Sequence, residues 1–169
     1  MNNNISRIPM KVLSIRAPWP YFIFHGDKNI ENRRWCTDIR GPVFIHVSKW
    51  WNAGEVICTL LQHFDTINRP DILSLDVARQ LDFATQFANA EIMPTCGCII
   101  GTVNIMDCIR PGKCDPMGYR KSRWFVGPCG LVLSNPQLLS TPIACRGALG
   151  FFHIPYDVLS AVYNTSYVD

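Results

Sequence analysis

The chain has 169 residues, 48% of them apolar and 17% charged, and a net charge of +3. That length supports a full hydrophobic core without staples, and the absence of any run of about 18 apolar residues excludes a transmembrane helix. The mild positive balance permits a basic cleft without demanding a nucleic-acid partner.

Residues 1–10 are Asn-rich, lack the apolar core of a secretory leader and read as a flexible tail. Residues 11–169 read as one domain, with the cytoplasm as the expected compartment. Eight cysteines (Cys36, Cys58, Cys96, Cys98, Cys108, Cys114, Cys129 and Cys145) raise the question of metals and disulfides. None forms a C-x-x-C pair, and no histidine stands at zinc-finger spacing from them. Cys96-Gly97-Cys98 on a strand would place both thiols on one face. No metal and no cofactor are expected, and the thiols are expected to be free, acting as small hydrophobes in a reducing compartment.

In chain order, Lys11–Arg16 alternates and predicts a first strand. Ala17-Pro18-Trp19-Pro20 breaks it, and Trp19, Phe22 and Ile23 at helical spacing predict a short buried helix to His25. The next stretch, Gly26-Asp27-Lys28-Asn29-Ile30-Glu31-Asn32-Arg33-Arg34-Trp35, holds a lysine, a carboxylate, two arginines and a tryptophan in ten residues. Gly26 fits the left-handed C′ position of the preceding helix. If the rest is extended, Asn29, Glu31, Arg33 and Trp35 share one face, with Lys28 at its mouth. Such a row is either an edge strand with solvated charges or the wall of a binding cleft.

Val43–Val47 predicts a strong strand with Val43, Ile45 and Val47 on one face and Phe44 and His46 on the other. Trp50 and Trp51 follow, as base-stacking surfaces or as a cover over the core. Residues 54–64 and 71–89 predict two helices, forming an insert over about 54–89 that reads as scaffold. In the second, Ile72, Leu75, Ala78 and Leu81, with Val77, Ala84, Phe87 and Ala88, are expected on the buried side. Residues 97–109 predict the longest strand, in which Gly101 marks a bulge or a close backbone approach. The loop Arg110–Arg123, rich in Pro, Gly and base, reads as a mobile lip or a solvated loop. Residues 124–134 predict a strand interrupted by Gly127-Pro128. Asn135-Pro136 then breaks the pattern, a last strand lies near Leu149–His153, and a closing helix spans Tyr156–Tyr163. Irregular strand spacing with helices filling the gaps predicts an α+β fold, a small, strongly curved mixed β-barrel with peripheral helices.

Three runs, Leu13-Ser14-Ile15-Arg16-Ala17-Pro18-Trp19, Gly26 to Trp35, and Arg40-Gly41-Pro42-Val43-Phe44-Ile45-His46-Val47-Ser48, carry a G-x-K-x-x-E-N-R motif flanked by S-I-R-x-P-W. With Gly101-Thr102-Val103, Asp107-Cys108, Trp124 to Pro128 and Gly147 to Phe152, they resemble the ASCH (activating signal cointegrator homology) domain family. The resemblance implies a PUA-like barrel, whose relatives bind RNA or modified bases in a cleft beside it. Some small ASCH proteins are amidohydrolases that remove acetyl from N4-acetylcytidine, and others are RNA- or DNA-binding proteins or ribonucleases. In the hydrolase motif, a threonine follows the lysine by three positions and an arginine comes two further on. Here Lys28 and Arg33 match, while Glu31 stands where the threonine would be. If the chain is an enzyme of that kind, the resemblance implies Lys28 and Glu31 as catalytic residues, with Asp107 as the later carboxylate.

The residues themselves favour binding. A lysine held by Glu31 stays protonated, which suits phosphate contact better than general base catalysis. Arg16, Lys28, Arg33, Arg40 and Lys49 form a candidate cationic rim, with Trp19, Trp35 or Trp124 as stacking surfaces, the pattern by which single-stranded RNA is bound. Glu31 or Ser48 could read the edge of a flipped base. His46 joins this set, its alternation with core residues marking a buried, hydrogen-bonded histidine rather than a catalyst. The expected partner is RNA or a modified nucleotide, with no membrane.

Overall fold

The structure, a computed structural model, describes residues 10–49, 52–63, 65 and 70–165. Residues 1–9 of the expected tail, Trp50, Trp51, Phe64 and the break at Asn68-Arg69 lie outside the described residues.

The elements follow in the order β1 (Lys11–Ile15), α1 (Trp19–His25), β2 (Ile30–Arg33), β3 (Gly41–Val47), α2 (Ala53–His63), α3 (Pro70–Leu73), α4 (Val77–Phe87), β4 (Cys98–Ile109), β5 (Cys129–Ala144), β6 (Phe151–His153) and α5 (Tyr156–Tyr163). The strands form one sheet in the order β2-β5-β4-β3-β1-β6. β1 and β3 run parallel and the other pairs antiparallel. Bulges at Ile45/His46 and at three points between β4 and β5 bend the long strands, because each extra residue kinks the strand and increases its twist. The result is a mixed, curled half-barrel with peripheral helices, the expected α+β architecture.

The alternation of β3 explains why both faces of the sheet are buried. Val43, Ile45 and Val47 face a core shared with Phe22 and Ile23 of α1, Val56 and Leu60 of α2 and Ala84 of α4. Phe44 faces a second core with Val12, Ile99 and, from α5, Val158 and Val162. Gly101 shows the close approach its position predicts: a Cβ there would lie 2.3 Å from the Gln137 backbone oxygen and 2.7 Å from the Phe24 ring.

Four expectations are corrected. Gly26 is extended (φ −116°, ψ −156°) and not left-handed, because the chain leaves α1 directly toward β2. The single helix expected over 71–89 is divided. The Asp76 side chain accepts the Arg79 N–H at 3.0 Å and starts α4 as a new helix. An N-cap of this kind satisfies a donor that a continuous helix would satisfy internally. The turn between the helices leaves Val77, Ala78 and Leu81 exposed while Ala84 is buried. Asn135-Pro136 does not end a strand, since β5 runs through it with Asn135 at φ 50° and pairs with β4 on both sides. Finally, Cys36 and Cys129 are joined in a disulfide, their Cα atoms 5.6 Å apart. Cys129 faces Arg33 in the β2–β5 ladder, so the chain leaving β2 is carried back past β5. The other six cysteines are free.

Among the described residues, no helix is long and apolar enough to cross a membrane, and no cluster of His, Cys, Asp and Glu could hold a metal ion.

Candidate functional site

A cleft of about 1790 Å³ runs between β2, the β1–β3 pair, the segment Arg123–Val126 and the loop after β5. This exceeds the roughly 300–1,000 Å³ typical of small-molecule pockets. Seven of the nine charged residues lining it are Lys or Arg, the exceptions being Glu31 and Asp157. The fold therefore concentrates a mild net charge into a cationic groove.

Ten residues singled out from the sequence line this cleft: Arg16, Trp19, Lys28, Glu31, Arg33, Trp35, His46, Ser48, Lys49 and Trp124. Arg40 and Asp107 do not. They pair with each other at 2.9 Å, both solvent-exposed, and Asp107 also accepts the Cys108 N–H at 2.7 Å. The carboxylate needed to complete a Lys28–Glu31–Asp107 hydrolytic set is therefore outside the cleft.

The floor is built around Lys28. Its backbone N–H is held by Phe22 at the end of α1, and its side chain turns into the cleft floor, 5% exposed. The ammonium lies 5.1 Å from the Trp19 ring and 5.3 Å from the Trp124 ring, donates to the Ile30 carbonyl and sits 3.8 Å from Glu31 Oε2. Burial pushes its pKa down, Glu31 pulls it up, and Arg33 pushes it down again. Burial and Arg33 thus act against the pull that Glu31 exerts on the Lys28 proton. Removing the ammonium from water outweighs one carboxylate that is itself shared. Glu31 Oε1 accepts from Arg33 at 3.1 Å, so one buried carboxylate bridges two cations. Glu31 acts as their counter-ion, not as a free base-reading group.

Arg33 is anchored twice, on Glu31 and on the Ser14 carbonyl at 2.6 Å, and its guanidinium lies 5.6 Å from the Trp35 ring. Trp35, just past β2, rests edge-on against Phe151 at 5.5 Å and is 37% exposed. Trp124 is the reverse case, a buried anchor whose indole N–H donates to Asp27 at 3.1 Å. Asn32, between Glu31 and Arg33 in sequence, clasps the facing segment by donating to the Trp124 carbonyl at 2.7 Å and accepting the Val126 N–H at 2.9 Å. The Arg110–Arg123 loop is likewise tied down, by Arg110 to Asp38 and the Thr37 carbonyl and by Arg123 to Asp27.

Two buried polar atoms in the cleft, Arg33 Nε and Ser48 Oγ, have no hydrogen-bond partner among the described residues. Buried polar atoms are seldom left unpaired, and both belong to residues that line the cleft.

Several lining residues were not singled out from the sequence. His63 packs against Trp124 at 4.9 Å. Cys96 and Cys98, noted for their C-x-C spacing, both line the cleft, but Cys96 lies before β4 begins at Cys98 and not on a strand with it; Cys145 joins them. The loop Arg146–Gly150 supplies a further cation and the fully exposed Leu149. Gly147 in this loop meets His46 directly: a Cβ there would lie 2.3 Å from the imidazole Cε1.

Fold and cleft together define a PUA-like domain with a cationic, aromatic-walled groove beside its sheet. The chain belongs to the ASCH domain family, whose model matches residues 13–127. It is 21% identical over 135 residues to Activating signal cointegrator 1 from Homo sapiens, an overlap covering 80% of this chain and 20% of that protein. The chain therefore spans about a fifth of that relative's length. It is also similar to the crystal structure of ASCH from Zymomonas mobilis, with 13% identity, 94% of this chain and 97% of that chain covered, and a TM-score of 0.47.

Proposed function

We propose that the cleft binds an unpaired nucleotide of single-stranded RNA, or a modified nucleotide, with the base against Trp35 and phosphates on the cationic rim. The observation that carries this reading is the combination, in one groove, of an exposed indole backed by Phe151, seven lining cations and two buried donors without partners among the described residues. Phosphates supply affinity through Lys and Arg and are indifferent to sequence. Stacking on an aromatic face holds a base whose edge is then free to be read. Ser48 and Arg33, which line the cleft, are the candidates to hydrogen-bond that edge, since Glu31 is committed to its two cations. Hydrolysis through Lys28, Glu31 and Asp107 is disfavoured because Asp107 is held at the surface by Arg40.

A fluorescence-anisotropy titration with a labelled single-stranded RNA dodecamer tests the reading. Wild-type affinity is expected to fall as salt rises, as phosphate contacts require. Trp35→Ala is expected to weaken binding at fixed salt by about 1–3 kcal/mol, the worth of one stacked base. Equal affinity of wild type and Trp35→Ala would remove Trp35 from the binding surface.

A further inference from the structure

The cleft contains a second arrangement that base binding does not use. Ser14 on β1 and His46 on β3 are direct partners in the parallel register, so their side chains leave the same face of the sheet side by side. Ser14 Oγ lies 3.0 Å from His46 Nδ1, and His46 Nε2 lies 3.1 Å from the Cys145 carbonyl oxygen. We propose that Ser14 and His46 are a nucleophile–base pair that cleaves an acyl ester carried by a molecule bound in this cleft, an activity independent of base binding.

The tautomer follows from elementary chemistry. A carbonyl oxygen has no proton to give, so the ring nitrogen facing Cys145 must carry the hydrogen. In the neutral ring Nδ1 then presents a lone pair, and the Ser14 hydroxyl donates to it. The ring stays neutral because burial pushes its pKa down and Lys49 pushes the same way, against the pull of the Cys145 carbonyl. The carbonyl is itself fixed: the Cys145 N–H is bonded to Gly97 O at 2.9 Å, and the Gly97 N–H to Val47 O at 2.7 Å. Gly147 lies against the imidazole, with room for no side chain. An oriented base beside a hydroxyl is the general signature of an activated nucleophile.

A cation is held on the Ser14 backbone. Arg33 Nη2 donates to the backbone carbonyl of Ser14 itself, and Arg33 lines the same cleft. Such a donor suits the oxyanion that forms when a carbonyl is attacked. In the first step Ser14 Oγ bonds to the ester carbonyl carbon and its proton passes to His46 Nδ1. Collapse of the adduct breaks the carbon–oxygen bond to the alcohol, which leaves with the proton from His46. Water, deprotonated by the same nitrogen, then hydrolyses the acyl-serine, releasing the carboxylic acid and restoring the hydroxyl. The far side of His46 meets a neutral carbonyl, not a carboxylate, so the imidazolium is less well stabilised than in a Ser-His-Asp triad. That favours esters, whose alcohols leave readily, over amides.

Treatment of the purified chain with a fluorophosphonate probe, followed by peptide mapping by mass spectrometry, tests the pair without knowledge of the natural ester. The Ser14 oxygen displaces fluoride from phosphorus, so a single covalent adduct on the peptide containing Ser14 is expected. It should be absent from Ser14→Ala and from the chain unfolded in guanidinium, and its rate of formation should drop by about two orders of magnitude in His46→Gln. The wild-type and unfolded samples decide the matter even if His46→Gln does not fold. No adduct at Ser14 in the folded wild type, or equal labelling of the unfolded chain, would show that the contact only holds β1 to β3. Neither outcome bears on RNA affinity, so the two readings fail separately.

Discussion

Glu31→Gln is expected to destabilise the fold by about 3–5 kcal/mol, the usual cost of removing one partner from a buried charge cluster. Glu31 is 7% exposed and Lys28 5%, and the carboxylate contacts Lys28 at 3.8 Å and Arg33 at 3.1 Å. The amide keeps the shape and loses the charge, so two neighbouring cations face each other across a site poor in water. Lys28 loses its main upward pull and sheds its proton at lower pH. Lys28→Met should cost less, because it removes the desolvated charge and leaves Glu31 paired with Arg33. For a chain of this size the predicted loss for Glu31→Gln corresponds to a fall in thermal midpoint on the order of 10 °C. Circular-dichroism melts of the two variants check the order; a Glu31→Gln midpoint at or above that of Lys28→Met would mean that Glu31 is not the counter-ion of this cluster.

The second large effect lies outside the cleft. Gly101→Ala is expected to cost about 3 kcal/mol or more, the upper end of overpacking. The added Cβ would sit 2.3 Å from the Gln137 backbone oxygen and 2.7 Å from the Phe24 ring. A side chain can move aside, but the Gln137 carbonyl belongs to the β4–β5 ladder, whose register already shifts at this point. Phe24→Ala in the same chain should therefore fail to rescue Gly101→Ala. Urea melts of both variants provide the measurement, and full rescue by Phe24→Ala would place the strain on the ring instead of the backbone.

What could be read from the sequence follows from the range of the interactions involved. Alternation in Lys11–Ile15 and Gly41–Val47, and the mix of charge and indole from Lys28 to Trp35, are local patterns, and they locate the sheet core and most of the cleft. Gly101 was legible because a glycine inside an apolar strand has few other reasons to be there. The Cys36–Cys129 disulfide was not, because its partners are 93 residues apart in sequence and are brought together only by the β2–β5 register. The break before α4 depends on whether Asp76 caps a new helix or rides on an old one, a choice decided by packing. Ser14 and His46 were each visible as residues, yet their pairing needed the parallel β1–β3 alignment and the carbonyl of Cys145, 99 positions from His46. Arg40 and Asp107 carry the right charges but find each other on the surface, which no local pattern forbids.

The most direct test of the central claim is to locate the contact itself. Irradiation of the chain with a single-stranded RNA carrying 4-thiouridine, followed by mass spectrometry of the cross-linked peptides, reports which residues touch a base. The account predicts adducts on peptides containing Trp35 or the Arg146–Gly150 loop, both of which line the cleft. Cross-links confined to surfaces outside the cleft, such as the strand ends around Arg40 and Asp107, would contradict it.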